Sequence, residues 1–162
     1  MKGYLASHFF NLGGLDFTSK LAEIIRREGI DLYVPQENGE INDKKSDKVV
    51  TDIDIWNGDI NKLKEADILF ACMDGVEIDS GVAGEIGYFN SMIENSPIER
   101  LIIGIYTDMR MHGVGEGHHY INLFVQGGIN KNGVMIKEDN WTTLEQRIRE
   151  EIKKFKIKRS ID

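Results

Sequence analysis

The residues from Asp74 to Tyr88, DGVEIDSGVAGEIGY, gather the groups that catalysis by carboxylates would use. Asp79 or Ser80 can cap a helix that then carries Val82, Ile86, Phe89 and Ile93 as an apolar stripe. Gly81, Gly84 and Gly87 sit inside that same helix, each costing ~1 kcal/mol relative to alanine. Glycines at this spacing clear one side of the helix for a ligand or another backbone. At 100° per residue, Glu85 lies roughly 60° from the centre of the stripe, at the rim between core and water. A carboxylate held there is partly desolvated and can act as a nucleophile or a base. Asp79 lies on the turn that feeds the helix, and Asp59 lies roughly 80° off the stripe of the preceding helix. Three acids can therefore converge on one crevice. The alternative makes Asp79 a plain N-cap and Glu85 a solvated acid favoured by the helix dipole. Spacing alone leaves the two readings even.

The elements that would position these acids alternate between strand and helix. Gly3–Ser7 (GYLAS), Asp31–Pro35 (DLYVP), Ala66–Met73 (ADILFACM) and Arg100–Tyr106 (RLIIGIY) are short apolar runs of strand length. Between the first two, Phe17, Leu21, Ile24 and Ile25 recur at helical spacing and Gly29 follows as a stop, which predicts a helix from about Asp16 to Glu28. Thr51 or Asp52 can cap a second helix with Ile53, Trp56, Ile60 and Leu63 on its apolar face. A further strand is expected at Gly133–Lys137. The last helix is expected to open with Thr143 and Gln146 in capping-box spacing, with Leu144, Ile148, Ile152 and Phe155 on its inner face. Strands alternating with helices predict an α/β fold, a parallel sheet covered on both faces. Ligands in such sheets bind beyond the carboxyl ends of the strands, here after Ser7, Pro35, Met73 and Tyr106.

Composition narrows the field. A chain of 162 residues with 41% hydrophobic residues and two prolines has the makings of one folded domain, expected to span 1–162. Its 20 Lys and Arg against 27 Asp and Glu give a net charge of -7, which argues against a surface made for a nucleic-acid polymer. No apolar run reaches the ~20 residues of a membrane span. Met1–Ser7 reads as a strand rather than as a secretory leader. A single cysteine, Cys72, fits a reducing compartment, so a cytoplasmic location is expected.

The segment DSGVAGEIGY, together with YLASHFF near the N-terminus and DINKLKEADI before the central strand, resembles the nucleoside 2-deoxyribosyltransferase family. The similarity runs from Gly3 through Tyr120-Ile-Asn-Leu. It implies a flavodoxin-like α/β fold and a homo-oligomer whose sites are shared between subunits. It implies Glu85 as the nucleophile on the anomeric carbon of a 2′-deoxynucleoside, Tyr4 as the group orienting that carboxylate, Asp79 as a ligand of the sugar hydroxyl and Asp59 as the group handling the proton of the departing base. Asn122 matches a residue that reaches the 5′ end of a neighbour's sugar. The partners implied are a 2′-deoxynucleoside donor and a free nucleobase acceptor, with no cofactor and no metal.

Around this core, Ser7, Phe9 and Gly81 are further substrate-binding candidates. Phe9 and Phe10 can stack on a base, although one of them is expected in the core. The family often has proline where this chain has His8. Related nucleotide N-glycosidases carry a serine- and arginine-bearing phosphate loop near this point, whereas SHFFNLGG lacks arginine, which favours a nucleoside over a 5′-monophosphate. Gly13-Gly14 reads as a turn or a small anion nest. Without the resemblance, Tyr4 reads as a strand residue with its hydroxyl in solvent. His112, Glu116, His118 and His119 share a glycine-rich loop whose spacing matches no helix-borne histidine pair, so a solvated loop or a lid is expected there. Arg110 in the same loop reads as a surface residue and Cys72 as an inert buried one. The basic end, Lys153 to Arg159, complements a helix C-terminus. Transfer of 2-deoxyribose between bases is the leading expectation. Hydrolysis of a deoxynucleoside or its 5′-phosphate, and a nucleoside- or nucleotide-binding module without turnover, are the alternatives.

Overall fold

A computed structural model describes residues 1–39, 49–112 and 121–161. The elements run β1 (Lys2–Ala6), α1 (Leu12–Arg27), β2 (Asp31–Tyr33), α2 (Asp52–Glu65), β3 (Ile68–Cys72), α3 (Ser80–Glu94), β4 (Leu101–Tyr106), α4 (Leu123–Asn132), β5 (Gly133–Lys137) and α5 (Trp141–Ile161). All strand pairs are parallel, in the order β2-β1-β3-β4-β5. This is the flavodoxin-like order, with its switch point between β1 and β3.

The period of two along each strand divides the core. Leu5, Phe70, Ile103 and Ile105 face Leu21, Ile25, Ile148 and Ile152 of α1 and α5. Tyr4, Ala6, Leu69, Ala71 and Ile102 face Leu63, Val82, Ile86, Phe89 and Ile129 of α2, α3 and α4. Parity thus sends Tyr4 to the α2–α3 side, where the candidate acids lie. A Cβ on Gly133 would stand 1.9 Å from the Ile102 carbonyl oxygen, so only glycine lets β5 start against β4.

Several boundaries and faces differ from the sequence expectations. Helix α1 begins at Leu12, not Asp16, because Asn11 caps it by accepting from the Gly14 amide at 2.9 Å. Gly13 and Gly14 therefore form its first turn, and the Gly14 N–H is already used. Helix α5 begins at Trp141. Asn140, not Thr143, caps it by accepting from the Thr142 amide at 2.8 Å, and Gln146 bonds Glu150 instead of closing a box. Helix α4 went unrecognised in the sequence because Gly127 and Gly128 interrupt its pattern. Only Ile60 and Leu63 of the expected α2 stripe are buried; Ile53 and Trp56 are 65% and 59% exposed. Thr51 and Asp54 close a capping box at that helix's start.

Candidate functional site

Tyr4 is fully buried, and its hydroxyl donates a short hydrogen bond to Glu85 Oε1 across the β1–α3 interface. The reading of Tyr4 as a solvent-facing strand residue is thereby overturned: its parity on β1 points it under α3. Glu85 is partly buried, and burial is the main cause that lifts its pKa from 4.5 to about 7. The Tyr4 bond works against that rise, and the negative charges of Asp59 and Asp79 add to it. Burial first, and then the Glu85 charge, raise the Tyr4 phenol, so it remains a donor at every physiological pH.

Asp59 lies on α2 and accepts from the Tyr33 hydroxyl at 3.0 Å through Oδ1. Burial holds its carboxyl above the usual range, while the Tyr33 bond opposes this. Tyr33, at the end of β2, stands opposite Tyr4 in the β1–β2 register, and the two rings lie 5.3 Å apart. Asn38 Nδ2 in turn donates to the Tyr33 hydroxyl at 3.0 Å. Burial pushes the Tyr33 phenol up to about 12. The sequence reading missed Tyr33 and Asn38. The alternation in DLYVP held the signal: with Leu32 and Val34 buried toward α1, Tyr33 must turn to the other face, beside Tyr4.

Asp79 is the N-cap of α3, accepting from the Gly81 and Val82 amides at 2.8 and 3.1 Å, both through Oδ1. Its expected capping and its place six residues before Glu85 coexist. The Gly81 N–H is thus committed to Asp79, and a Cβ there would come within 3.0 Å of Asp79 Oδ1. Ser7 is buried and shares a hydrogen bond with Thr18 at 2.8 Å, which ties the end of β1 to α1.

Phe9 and Phe10 follow β1 as a stacked pair, centroids 4.9 Å apart, with Phe10 80% exposed. Neither is in the core, contrary to expectation, because both lie beyond the carboxyl end of β1 at Ala6. Asn122 caps α4, its Oδ1 accepting from the Phe124 and Val125 amides at 3.0 and 3.3 Å. Beside it, Leu123 and Phe124 are exposed at the mouth of a cavity of about 580 Å³ between α3 and α4.

At the neighbouring strand ends the polar groups hold loops together. Asp74 accepts from the Thr107 amide and hydroxyl, each at 2.6 Å, and from the Asp108 amide at 3.2 Å. Arg110 pairs with Asp108 and donates to the Gly75 carbonyl at 2.6 Å, so it braces this turn. Cys72 is buried beside Asp74 and His8, and burial pushes its thiol up to about 12. His112 bonds Asp139 at 2.7 Å; Glu116, His118 and His119 lie outside the described residues.

A five-stranded parallel sheet in flavodoxin-like order, with carboxylates gathered over the β1 and β2 ends, defines an α/β protein with a candidate ligand site beyond the carboxyl ends of its strands. The family model for nucleoside 2-deoxyribosyltransferase matches residues 4–142. The chain belongs to the nucleoside 2-deoxyribosyltransferase family. It is similar in structure to a conserved protein from Enterococcus faecalis V583, with 32% identity, a TM-score of 0.76, and 95% of this chain and 98% of that one covered. It also shares its fold with the 2-deoxyribosyltransferase of the psychrotolerant bacterium Bacillus psychrosaccharolyticus, at 23% identity, a TM-score of 0.62 and 90% coverage of both chains. No curated protein sequence matches it. Among the described residues, no helix is long and apolar enough to cross a membrane.

Proposed function

We propose that the protein moves 2-deoxyribose between nucleobases by a retaining double displacement through a covalent glycosyl-enzyme on Glu85. The observation that carries this reading is the Glu85 carboxylate itself: partly buried, held by the Tyr4 hydroxyl, and facing a second desolvated carboxyl at Asp59. Tyr4 occupies Oε1, which leaves Oε2 to attack C1′. A glycosidic bond breaks through an oxocarbenium-like transition state, so a carboxylate near C1′ stabilises positive charge and then traps the sugar. In the first displacement, Asp59 gives a proton to a base nitrogen, the C1′–N bond breaks with its electron pair going to the base, and a C1′–O bond forms to Glu85. An acceptor base then attacks C1′, expels Glu85 as carboxylate and returns the proton to Asp59. Two inversions give net retention. Asp79 meets the sugar hydroxyl through Oδ2, since its amide bonds fall on Oδ1.

Phe9, on the exposed stacked pair, offers a face to the base, and Ser7 and Gly81 shape the walls through the bonds they already make. The subunits assemble so that Asn122 serves the sugar's 5′ end in a neighbour's site. The exposed Leu123 and Phe124 beside the α3–α4 cavity support such a contact. No step calls for a cofactor.

Incubating the protein with deoxyinosine, with and without adenine, and separating the products by chromatography tests the reading. Deoxyadenosine together with hypoxanthine is the expected result. Hypoxanthine alone means that water takes the acceptor's place and the protein is a hydrolase. Tight deoxynucleoside binding without any product means a binding module.

A further inference from the structure

We propose that Asn38 and Tyr33 form a directed hydrogen-bond relay that fixes which oxygen of Asp59 carries the proton to the departing base. The relay rests on the glycosyl-transfer reading above and adds two residues to it, both acting through Asp59. Its direction follows from the donors. An amide nitrogen can only donate, so Asn38 Nδ2, 3.0 Å from the Tyr33 oxygen, makes that oxygen the acceptor. The single Tyr33 hydrogen then turns to its other neighbour, Asp59 Oδ1, also at 3.0 Å. Oδ1 is thereby occupied as an acceptor and Oδ2 is the oxygen that holds the proton. The phenol cannot swivel away, because its ring packs 5.3 Å from that of Tyr4 and follows it in strand register.

The charged and titratable groups around Asp59 give this arrangement its purpose. On β1 and β2 stand the two phenols, Tyr4 and Tyr33, both neutral donors. From α3, Glu85 faces Asp59, whose charge raises the Glu85 pKa, as does the charge of Asp79. On α2 itself, Lys62 Nζ lies 5.9 Å from the Tyr33 ring centroid. The first displacement needs Glu85 ionised and Asp59 protonated together, one proton between the two carboxyls. Burial alone would leave a proton on Asp59 free to sit on either oxygen. Tyr4 donates to Glu85, and the relay donates to only one oxygen of Asp59. A proton that Asp59 carries therefore sits on Oδ2, from which it passes to the base as the C1′–N electron pair leaves.

The decisive comparison is Tyr33→Phe against wild type, with Asn38→Ala as a second variant that leaves the ring packing intact. Asp59 titration is followed by carbonyl-carbon NMR, assigned with Asp59→Asn. Turnover is followed with two donors, deoxyinosine and 7-methyl-2′-deoxyguanosine, whose base is already cationic and leaves without taking a proton. In Tyr33→Phe the Asp59 titration moves to higher pH, because the bond that favours its ionised form is gone. With deoxyinosine, kcat falls roughly 10- to 100-fold, the size expected for a hydrogen bond to a charged group, while KM changes by less than about twofold. The 7-methyl donor loses no more than about threefold, since general-acid help is not needed. Asn38→Ala shifts each quantity in the same direction and less. Equal loss on both donors, or an Asp59 titration that does not move, overturns the relay. Should wild type turn over neither donor, the glycosyl-transfer reading fails, and the titration alone then decides whether Tyr33 sets Asp59.

Discussion

Two groups of carboxylates stand at the carboxyl ends of the same sheet, and the protein treats them in opposite ways. Asp74, after β3, receives three donors from Thr107 and Asp108, all within 3.2 Å. Glu85 and Asp59, over β1 and β2, receive one tyrosine hydroxyl each and are desolvated. A carboxylate given a full set of donors is a fastening. One given fewer donors than it can accept, and little water, is held away from its preferred state and poised for chemistry. The difference separates a fully bonded acid from an under-bonded, desolvated one where sequence position alone cannot.

The sharpest way to break that comparison is truncation at each pole. Glu85→Ala is expected to lower deoxynucleoside turnover by roughly 10⁴-fold or more, the scale for loss of a nucleophile, measured by product chromatography. Its folding free energy should change by less than about 1 kcal/mol, since the lost Tyr4 bond and the relieved desolvation offset each other. Asp74→Ala is expected to do the reverse, removing about 2–4 kcal/mol of stability in chemical denaturation by stranding the Thr107 and Asp108 donors. An Asp74→Ala protein as stable as wild type, or a Glu85→Ala protein as active, would erase the distinction.

The comparison sharpens under a change of pH. Glu85 has a folded pKa raised to about 7 by burial. A raised carboxyl pKa means that folding is favoured while the group is protonated in both states, below its usual value of 4.5, and that this advantage is lost as pH rises to about 7. Glu85→Gln, which keeps the acceptor for Tyr4 and removes the charge, should therefore be more stable than wild type at pH 8, by on the order of 3 kcal/mol. The gain should shrink to near zero below pH 4.5. Thermal melts at both pH values measure it, and a gain of equal size at both would mean that charge burial is not its source. The same ionisation predicts that kcat/KM climbs through pH 7 as the nucleophile deprotonates.

Most of the architecture was legible because it rests on local, repetitive signals. The run ADILFACM could only be a strand covered on both faces, and Leu144, Ile148, Ile152 and Phe155 could only be one side of a helix. What failed depended on competition between neighbours. Asn11 and Asn140 outcompeted Asp16 and Thr143 as helix starts because each lay where its side chain met free amides. Ile53 and Trp56 have helical spacing yet stay exposed, since only the last turns of α2 reach the sheet. In the site, the three acids stood out by their spacing, while Tyr4 and the role of each acid came through the family resemblance. Tyr33 and Asn38 were not, because their partner Asp59 is brought to them by register and helix packing rather than by sequence proximity.

The smallest effect concerns Asn122, which has a visible local duty and a proposed remote one. Its Oδ1 caps α4, and a serine hydroxyl can take over that bond, so Asn122→Ser should change stability by no more than about 0.5 kcal/mol. What serine cannot supply is the amide group reaching into another subunit. If Asn122 serves a neighbour's sugar, Asn122→Ser raises KM for deoxynucleosides by roughly tenfold, the usual scale of a lost polar contact. The apparent assembly state in sedimentation should stay the same. Mixing this variant with Glu85→Ala protein then restores activity, because a hybrid assembly contains one site with a wild-type Asn122 and a wild-type Glu85 from different chains. An Asn122→Ser enzyme with unchanged KM, or a mixture no more active than its parts, would reduce Asn122 to a helix cap and confine the whole site to one chain.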